Sequence, residues 1–227
     1  MLRIRRVLLA FAAILLCATC LSAQDFDENS KVNTNIGFPI TIPVGSTSDL
    51  THAGTGIVVG TGYNFNQHNA FVGEFMWNWL YPTEESLDPL RPATVVGDLN
   101  GHSNLFALTA NYRFELRGHR VGTYFIAGGG FYYRNASRTE VVTPPGGTAC
   151  TSVWQWWGFR CSSGVVVVNQ TSSSFHSAVG GGNAGLGITF NLPNQPRYRL
   201  YVEARYHYAP GDSSTLRVIP ITMGIRF

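Results

Sequence analysis

The chain has 227 residues, of which 44% are hydrophobic and only 13% charged, with a formal net charge of +3. The aromatic and β-branched content excludes a disordered chain, and too little of the apolar sequence is continuous for a membrane protein with several helices. The composition favours an all-β chain whose apolar surface faces something other than water.

The first segment of the chain has the composition of a secretory signal peptide. Three arginines lie within residues 1–6, an uninterrupted apolar run covers residues 7–20, and Leu21-Ser22-Ala23 forms a small-residue exit. The run is shorter than the roughly twenty residues that a membrane-spanning helix needs. We therefore predict a signal peptide over residues 1–23, cleaved after Ala23, with an uncleaved anchor as the alternative.

Removal of this leader changes the charge balance. It carries three arginines and no acidic residue, so thirteen basic residues remain against thirteen acidic ones. A neutral mature chain gives no reason to expect nucleic acid as a partner.

From Asn33 onward, apolar and polar residues alternate with the period of a half-buried strand. In Leu200–Tyr208, for example, the even-numbered residues are apolar or tyrosine, whereas the odd-numbered ones include charged side chains. Two of the segments contain Gly-Gly-Gly runs and alternate less cleanly. The pattern predicts eight strands: Ile36–Val44, Ile57–Phe65, Ala70–Leu80, Leu105–Leu116, Val121–Arg134, Phe175–Phe190, Leu200–Tyr208 and Ile219–Phe227.

The connections between these segments alternate in length. Short polar turns lie at 66–69, 117–120 and 192–197, and generally longer connections lie at 45–53, 81–102, 135–172 and 210–214. Short periplasmic turns and long extracellular loops are typical of outer-membrane barrels. We predict an all-β, eight-stranded antiparallel up-and-down transmembrane β-barrel over residues 33–227, preceded by a short periplasmic segment over residues 24–32.

A soluble sandwich or lipocalin-like barrel is the alternative fold. It would place its apolar face inside. That face is rich in Phe, Trp, Tyr and Ile, which are too bulky for the interior of eight strands. The residue sizes therefore favour aromatics on the outside and the narrow polar face within.

The polar face carries seven ionisable residues. Three glutamates balance three arginines, with one histidine, and unpaired charges in a narrow lumen would be costly. We predict a salt-bridge network that plugs the barrel; a gated path for ions or small solutes is the alternative. Its residues are Glu74, Arg113, Glu115, Glu203, Arg205, His207 and Arg226.

The third long connection contains two cysteines and a cluster of aromatics. In an exported chain, Cys150 and Cys161 are interpreted as a disulfide, because no histidine lies beside either of them to suggest a metal site. The aromatics between them could form an interaction patch, or could pack at the barrel rim and membrane interface. They are Trp154, Trp156, Trp157 and Phe159.

Several segments resemble the small OmpA/OmpX-type outer-membrane β-barrel family. Tyr124–Phe131 (YFIAGGGF) resembles a characteristic strand, 183–187 with 201–206 resembles the penultimate hairpin, and 221–227 the terminal strand. The resemblance covers 33–227 and implies recognition by the barrel-assembly machinery. The implied assembly signal is Ile221, Met223, Ile225 and Phe227. We do not expect the peptidoglycan-anchoring role that some OmpA-type proteins have.

Catalysis is not expected. Some barrels of this size modify lipid A with a His-x-Ser pair on one strand face. Here His102-Ser103 and His176-Ser177 are adjacent and so fall on opposite faces. No spacing typical of metal ligands or of a cofactor site occurs, so neither is predicted.

We therefore predict a monomeric barrel with a structural or surface-interaction role in a Gram-negative outer membrane, in contact with membrane lipid and lipopolysaccharide. The alternatives are a narrow small-solute transporter of the OmpW kind and an adhesin acting through the third extracellular loop.

Overall fold

The structure is a computed structural model that describes residues 31–83, 100–142, 148–155, 158–165, 168–193, 195–211 and 215–227. Side chains are described for 31–83, 101–137, 176–193, 195, 197–211 and 215–227. The predicted signal peptide, 1–23, and nearly all of the segment 24–32 lie outside these residues.

Within the described ranges the chain forms ten strands and one short 3-10 turn, Gly45–Thr47. No helix of this part is long and apolar enough to cross a membrane. The strands are β1 Val32–Pro43, β2 Thr51–Asn64, β3 Asn69–Pro82, β4 Asn100–Leu116, β5 Val121–Val142, β6 Thr148–Gln155, β7 Gly158–Val165, β8 Val168–Leu192, β9 Gln195–Ala209 and β10 Leu216–Arg226.

Eight of these strands close into a barrel in the order β1-β10-β9-β8-β5-β4-β3-β2, with every pair antiparallel. The first and last strands form the closing seam, where Phe38 pairs with Met223 and Ile40 with Ile221. Beyond the ladder, Thr34 and Phe227 exchange backbone hydrogen bonds of 2.7 and 2.9 Å. The predicted eight-stranded up-and-down barrel is confirmed.

The barrel has two different ends. The turn end carries the connections 65–68, 117–120 and 193–194, together with Lys31 and Phe227. The loop end carries the other connections.

The long connection 135–172 differs from its prediction as a loop. The strands β5 and β8 have 22 and 25 residues. β4 stays paired with β5 as far as Asn100–Thr139, and beyond that pair β5 and β8 continue as a short two-stranded ribbon to Val142–Val168. Between them, β6 and β7 form a separate hairpin. The extension is rich in Ser, Thr and Asn, so it lacks the hydrophobic alternation that identifies a half-buried strand, and backbone pairing alone defines it.

The alternation along the barrel strands separates two faces. On β1 and β10 the apolar residues face outward, with Phe38 65% and Met223 62% exposed, while Thr41 and Thr222 face inward and are buried. Outward rings also pack together near the loop end, where Trp77 stacks on Phe106 with ring centroids 5.6 Å apart. An aromatic outer surface is typical of a lipid-facing barrel and excludes the soluble alternative, which needs that face inside.

The Gly-Gly-Gly run of β5 lies where the backbones approach closely. A Cβ on Gly128 would lie 2.2 Å from the backbone oxygen of Ala110 on β4. Only glycine fits this inward position, because a side chain there would collide with the β4 backbone.

Candidate functional site

The candidate site is the interior of the barrel. It receives inward side chains from β3, β4, β9 and β10, because residues two apart on a strand share a face. All seven sequence-predicted lumen residues lie here, and none is more than 6% exposed: Glu74, Arg113, Glu115, Glu203, Arg205, His207 and Arg226.

In the middle of the lumen, Arg205 bridges two glutamates. Its Nη1 lies 2.5 Å from Oε2 of Glu74, and its Nε donates to Oε1 of Glu203 at 2.8 Å. Asn35 and Asn111 donate to Glu74 at 3.2 and 3.0 Å. This middle cluster carries two negative charges and one positive charge, and every carboxylate oxygen named here has a donor.

The hydroxyl of Tyr124 completes the middle cluster by donating to Oε2 of Glu203 at 2.9 Å. Its ring fits because the facing residue on β8 is Gly187. A Cβ at Gly187 would lie 2.2 Å from Cζ of Tyr124. The absent side chain on one strand therefore creates the space for a hydrogen-bonding ring on its neighbour.

A second cluster lies at the turn end, around Glu115. Arg226 and Arg199 approach its carboxylate to 3.2 and 3.3 Å, and Nε of Arg113 lies 3.7 Å away. The guanidinium of Arg226 also lies over the ring of Tyr124, 4.9 Å from its centroid. One carboxylate thus faces three guanidinium groups.

Arg199 was missed by the sequence analysis, and it changes the charge balance. The three-to-three count of glutamates and arginines becomes three to four in the described lumen. The available signal was the alternation of β9, since Arg199 lies two residues before Tyr201 on the inward face. The predicted strand began one residue later, at Leu200.

The loop-end half of the lumen contains a cluster of apolar side chains, which the sequence analysis also missed, together with the buried Asn78. The inward face had been interpreted as polar throughout, yet Leu80 and Leu105 occupy it at the loop-side parts of β3 and β4. We call this cluster the loop-end plug; it comprises Val58, Met76, Leu80, Leu105, Ala107, Tyr132, Ala209, Leu216 and Val218, none more than 7% exposed.

His207 lies at the boundary between the plug and the middle cluster. Its Nδ1 is 2.9 Å from the hydroxyl of Tyr132, and the two rings meet edge to face. Glu74, Glu203 and Arg205 line a small cavity with His207, near the plug residues Val58 and Met76. Across the described residues, no group of three or more His, Cys, Asp or Glu side chains is arranged to hold a metal.

The third-connection residues are described only in their backbone. The ladder of β6 and β7 opposes Trp154 to Phe159, whereas Trp156 and Trp157 lie outside the described residues. Cys150 pairs with Ser163, and Cys161 with Ser152, so the cysteines are two positions out of register. The disulfide therefore stays a prediction.

The predicted assembly signal lies on the outer face of β10. Ile221, Met223 and Ile225 pair with Ile40, Phe38 and Ile36 of β1. Phe227 follows the strand and is held to Thr34 by the backbone bonds of the seam.

These features match a known class of barrels. The family model described as "Outer membrane protein beta-barrel domain" matches residues 13–227. The chain belongs to this family. The resemblance to small outer-membrane barrels is confirmed, and membership assigns the protein to the outer membrane of a Gram-negative bacterium.

Three solved structures illustrate the likeness of this outer-membrane barrel to others. Ail of Yersinia pestis is 16% identical, with 86% of this chain and 97% of that chain covered and a TM-score of 0.46. The Neisserial surface protein A is 12% identical (87% and 96% covered, TM-score 0.50). The N-terminal barrel domain of Pseudomonas aeruginosa OprF is 12% identical (87% and 98% covered, TM-score 0.42). Among curated proteins, no sequence matches.

Proposed function

We propose that this outer-membrane barrel has a closed lumen and a structural or surface-interaction role. The observation that carries the proposal is the loop-end plug, in which Leu105, Tyr132 and Val218 are completely buried. Apolar side chains packed in the loop-side half of the lumen support a closed path, because they offer water few polar partners there. An eight-stranded wall is in any case narrow, and its interior is just filled by side chains.

Conductance in a planar bilayer tests the closed lumen. The wild-type barrel should give no steady current, because water is excluded at the plug. The variant Leu80→Ala/Leu105→Ala removes two plug side chains and should admit a small leak. The matched control is Leu108→Ala on the same strand, whose outward side chain is 45% exposed. Steady large conductance of the wild type would support the OmpW-like transporter instead.

A second candidate function is adhesion through the third long connection. The observation that favours it is the ribbon of β5 and β8, which continues past the last pairs with β4 and β9, Asn100–Thr139 and Gly182–Tyr208. The hairpin of β6 and β7, with Trp154 opposite Phe159, lies in the connection between the two strands of this ribbon. Exposed aromatic patches commonly mark contacts.

Replacement of Trp154, Trp156 and Trp157 by Ser tests the adhesive role. Binding of labelled host cells or matrix should fall, while the amount of folded barrel on the bacterial surface stays constant. Cys150→Ser/Cys161→Ser provides the companion variant, because loss of a disulfide would loosen the same hairpin. Unchanged binding by the tryptophan variant would remove the adhesin.

Export through residues 1–23, contact with lipopolysaccharide and a monomeric state belong to the same proposal. The mature protein should begin at Gln24, which mass spectrometry of the outer-membrane fraction measures directly.

A further inference from the structure

Arg217 is a charged residue on the outer surface of the barrel. It lies between the buried residues Leu216 and Val218, so it occupies an outward position of β10. Among the described side chains of the barrel strands, it is the only Arg, Lys, Asp or Glu at an outward position; the others follow the inward parity of their strands. A charge on a lipid-facing surface is costly in the middle of the membrane and much less so near its edge.

The position of Arg217 along β10 corresponds to the membrane interface at the loop end. The outward residues from Ile219 to Phe227 are all apolar, and Arg217 is ten residues away from Phe227. At a rise of about 3.3 Å per residue and a tilt of about 40°, ten residues cover about 25 Å along the barrel axis, which matches the height of the apolar band of outer-membrane barrels. Phe227 and Arg217 therefore lie at the two edges of that band.

Neighbouring residues hold Arg217 in place. Its backbone N–H donates to Oγ1 of Thr47 at 2.9 Å, and its carbonyl accepts a hydrogen bond of 3.0 Å from the backbone of Val44. Its guanidinium lies over the ring of Tyr208, 5.8 Å from the centroid. On the other side is the turn at Gly45, where a Cβ would lie 3.2 Å from Nη1 of Arg217. The side chain is thus confined before any ligand arrives, which lowers the entropy lost on binding.

The guanidinium of Arg217 lacks a counterion in the described part of the chain. No described Asp or Glu forms an ion pair with it, and its Nε makes no hydrogen bond to a described residue. A phosphate accepts the planar fork of a guanidinium through two parallel hydrogen bonds. At the edge of the apolar band, the phosphates within reach are those of lipid headgroups in the leaflet at the loop end.

We propose that Arg217, supported by Tyr208 and the turn at Gly45, binds a phosphate group of lipopolysaccharide at the loop-end edge of the barrel. The inference rests on the lipopolysaccharide contact proposed above and assigns that contact a residue and a chemical group. It does not depend on the closed lumen or on adhesion.

Thermal stabilisation of the folded barrel by lipid A tests this binding. The protein is kept in an uncharged detergent, and its midpoint is measured with increasing amounts of lipid A, of lipid A stripped of its phosphates, and of inorganic phosphate. Arg217→Gln removes the charge. The matched control is Arg120→Gln, which removes an exposed arginine from the turn between β4 and β5 at the opposite end.

Wild type and Arg120→Gln should be stabilised at lipid A concentrations about tenfold lower than Arg217→Gln, as expected for the loss of a charge-assisted hydrogen bond. Phosphate-free lipid A should act equally on all three proteins, and inorganic phosphate should stabilise none of them, because it lacks the acyl chains that hold a headgroup at this depth.

An equal response of wild type and Arg217→Gln to lipid A overturns the assignment to Arg217 and leaves the lipopolysaccharide contact standing. No response of the wild type overturns the contact itself and the inference with it. Stabilisation of the wild type by inorganic phosphate as strongly as by lipid A overturns the lipid as the ligand, since the site would then bind soluble anions.

Discussion

Glu115 forms ion pairs with arginines of three strands, β4, β9 and β10. It is 2% exposed and is the only described carboxylate within ion-pair distance of Arg113, Arg199 and Arg226. A buried ion pair is not a strong source of stability in itself. The loss of one partner, however, leaves the other charges buried without a counterion or water to solvate them.

The substitution Glu115→Gln should therefore destabilise the barrel by about 3–5 kcal/mol, since it leaves buried guanidinium groups uncompensated. The midpoint of urea unfolding, followed by the loss of the folded band on gels, measures the effect. Asp49→Asn is the control, because Asp49 is exposed at the loop end. Equal midpoints for the two variants would show that the ion pairs of Glu115 do not stabilise the folded barrel.

The pair of Tyr124 and Gly187 gives a second test at this scale. Gly187→Ala places a methyl group 2.2 Å from the tyrosine ring and should cost about 1–3 kcal/mol through overpacking. Gly180→Ala is matched in strand and chemistry, but its methyl group meets nothing within 4 Å. The two variants should differ in thermal midpoint; equal midpoints would mean that Tyr124 moves aside freely.

Strand parity explains what could be predicted at the residue scale. Alternation alone assigned Glu74, Arg205 and the other charged residues to one face, and they are buried together. It could not reveal that Leu80 and Leu105 share that face as a plug, because an apolar residue at an inward position looks the same in sequence as an imperfection of the pattern. Nor does a pattern along one strand give the distances between strands.

At the scale of single elements, the extension of β5 and β8 beyond the predicted strands could not be predicted from the sequence. The barrel parts of β5 and β8 were recognised from their bulky outward residues, such as Phe131 and Leu186. The extension is rich in Ser, Thr and Asn, so its sequence carries no hydrophobic alternation. Backbone pairing, of β5 with β4 as far as Thr139 and with β8 as far as Val142, then defines the strands, and it leaves no trace in composition.

Phe227, which follows β10, is part of the predicted assembly signal. Phe227→Ser should lower the amount of folded barrel in the outer membrane, because the family resemblance gives the terminal aromatic a role in recognition by the assembly machinery. Phe38→Ser on the adjacent strand β1 is the control, since it removes another lipid-facing phenylalanine, 65% exposed. Quantification of the folded band in membrane fractions compares them. Equal loss would point to hydrophobicity alone.

For the whole molecule, closure of the sheet predicts resistance to detergent denaturation. All strand pairs around the ring are hydrogen-bonded, so the barrel has no open edge from which to unravel. Unboiled protein should run as a compact monomer on gels and shift after boiling. Absence of a shift would count against the barrel, and a band of twice the mass against the monomer.

The same closure determines when the lumen charges can be neutralised. Glu74 and Glu115 belong to β3 and β4, whereas Arg205 and Arg226 belong to β9 and β10, on the other side of the ring. These residues are far apart along the chain and meet only across the interior. In a sheet that has not yet curled, the cross-lumen pairs Arg205–Glu74 and Arg226–Glu115 would be open, and only pairs within one strand, such as Arg205–Glu203, could form. The cross-lumen pairs require the curled sheet, so the polar interior favours the completed cylinder over an open one.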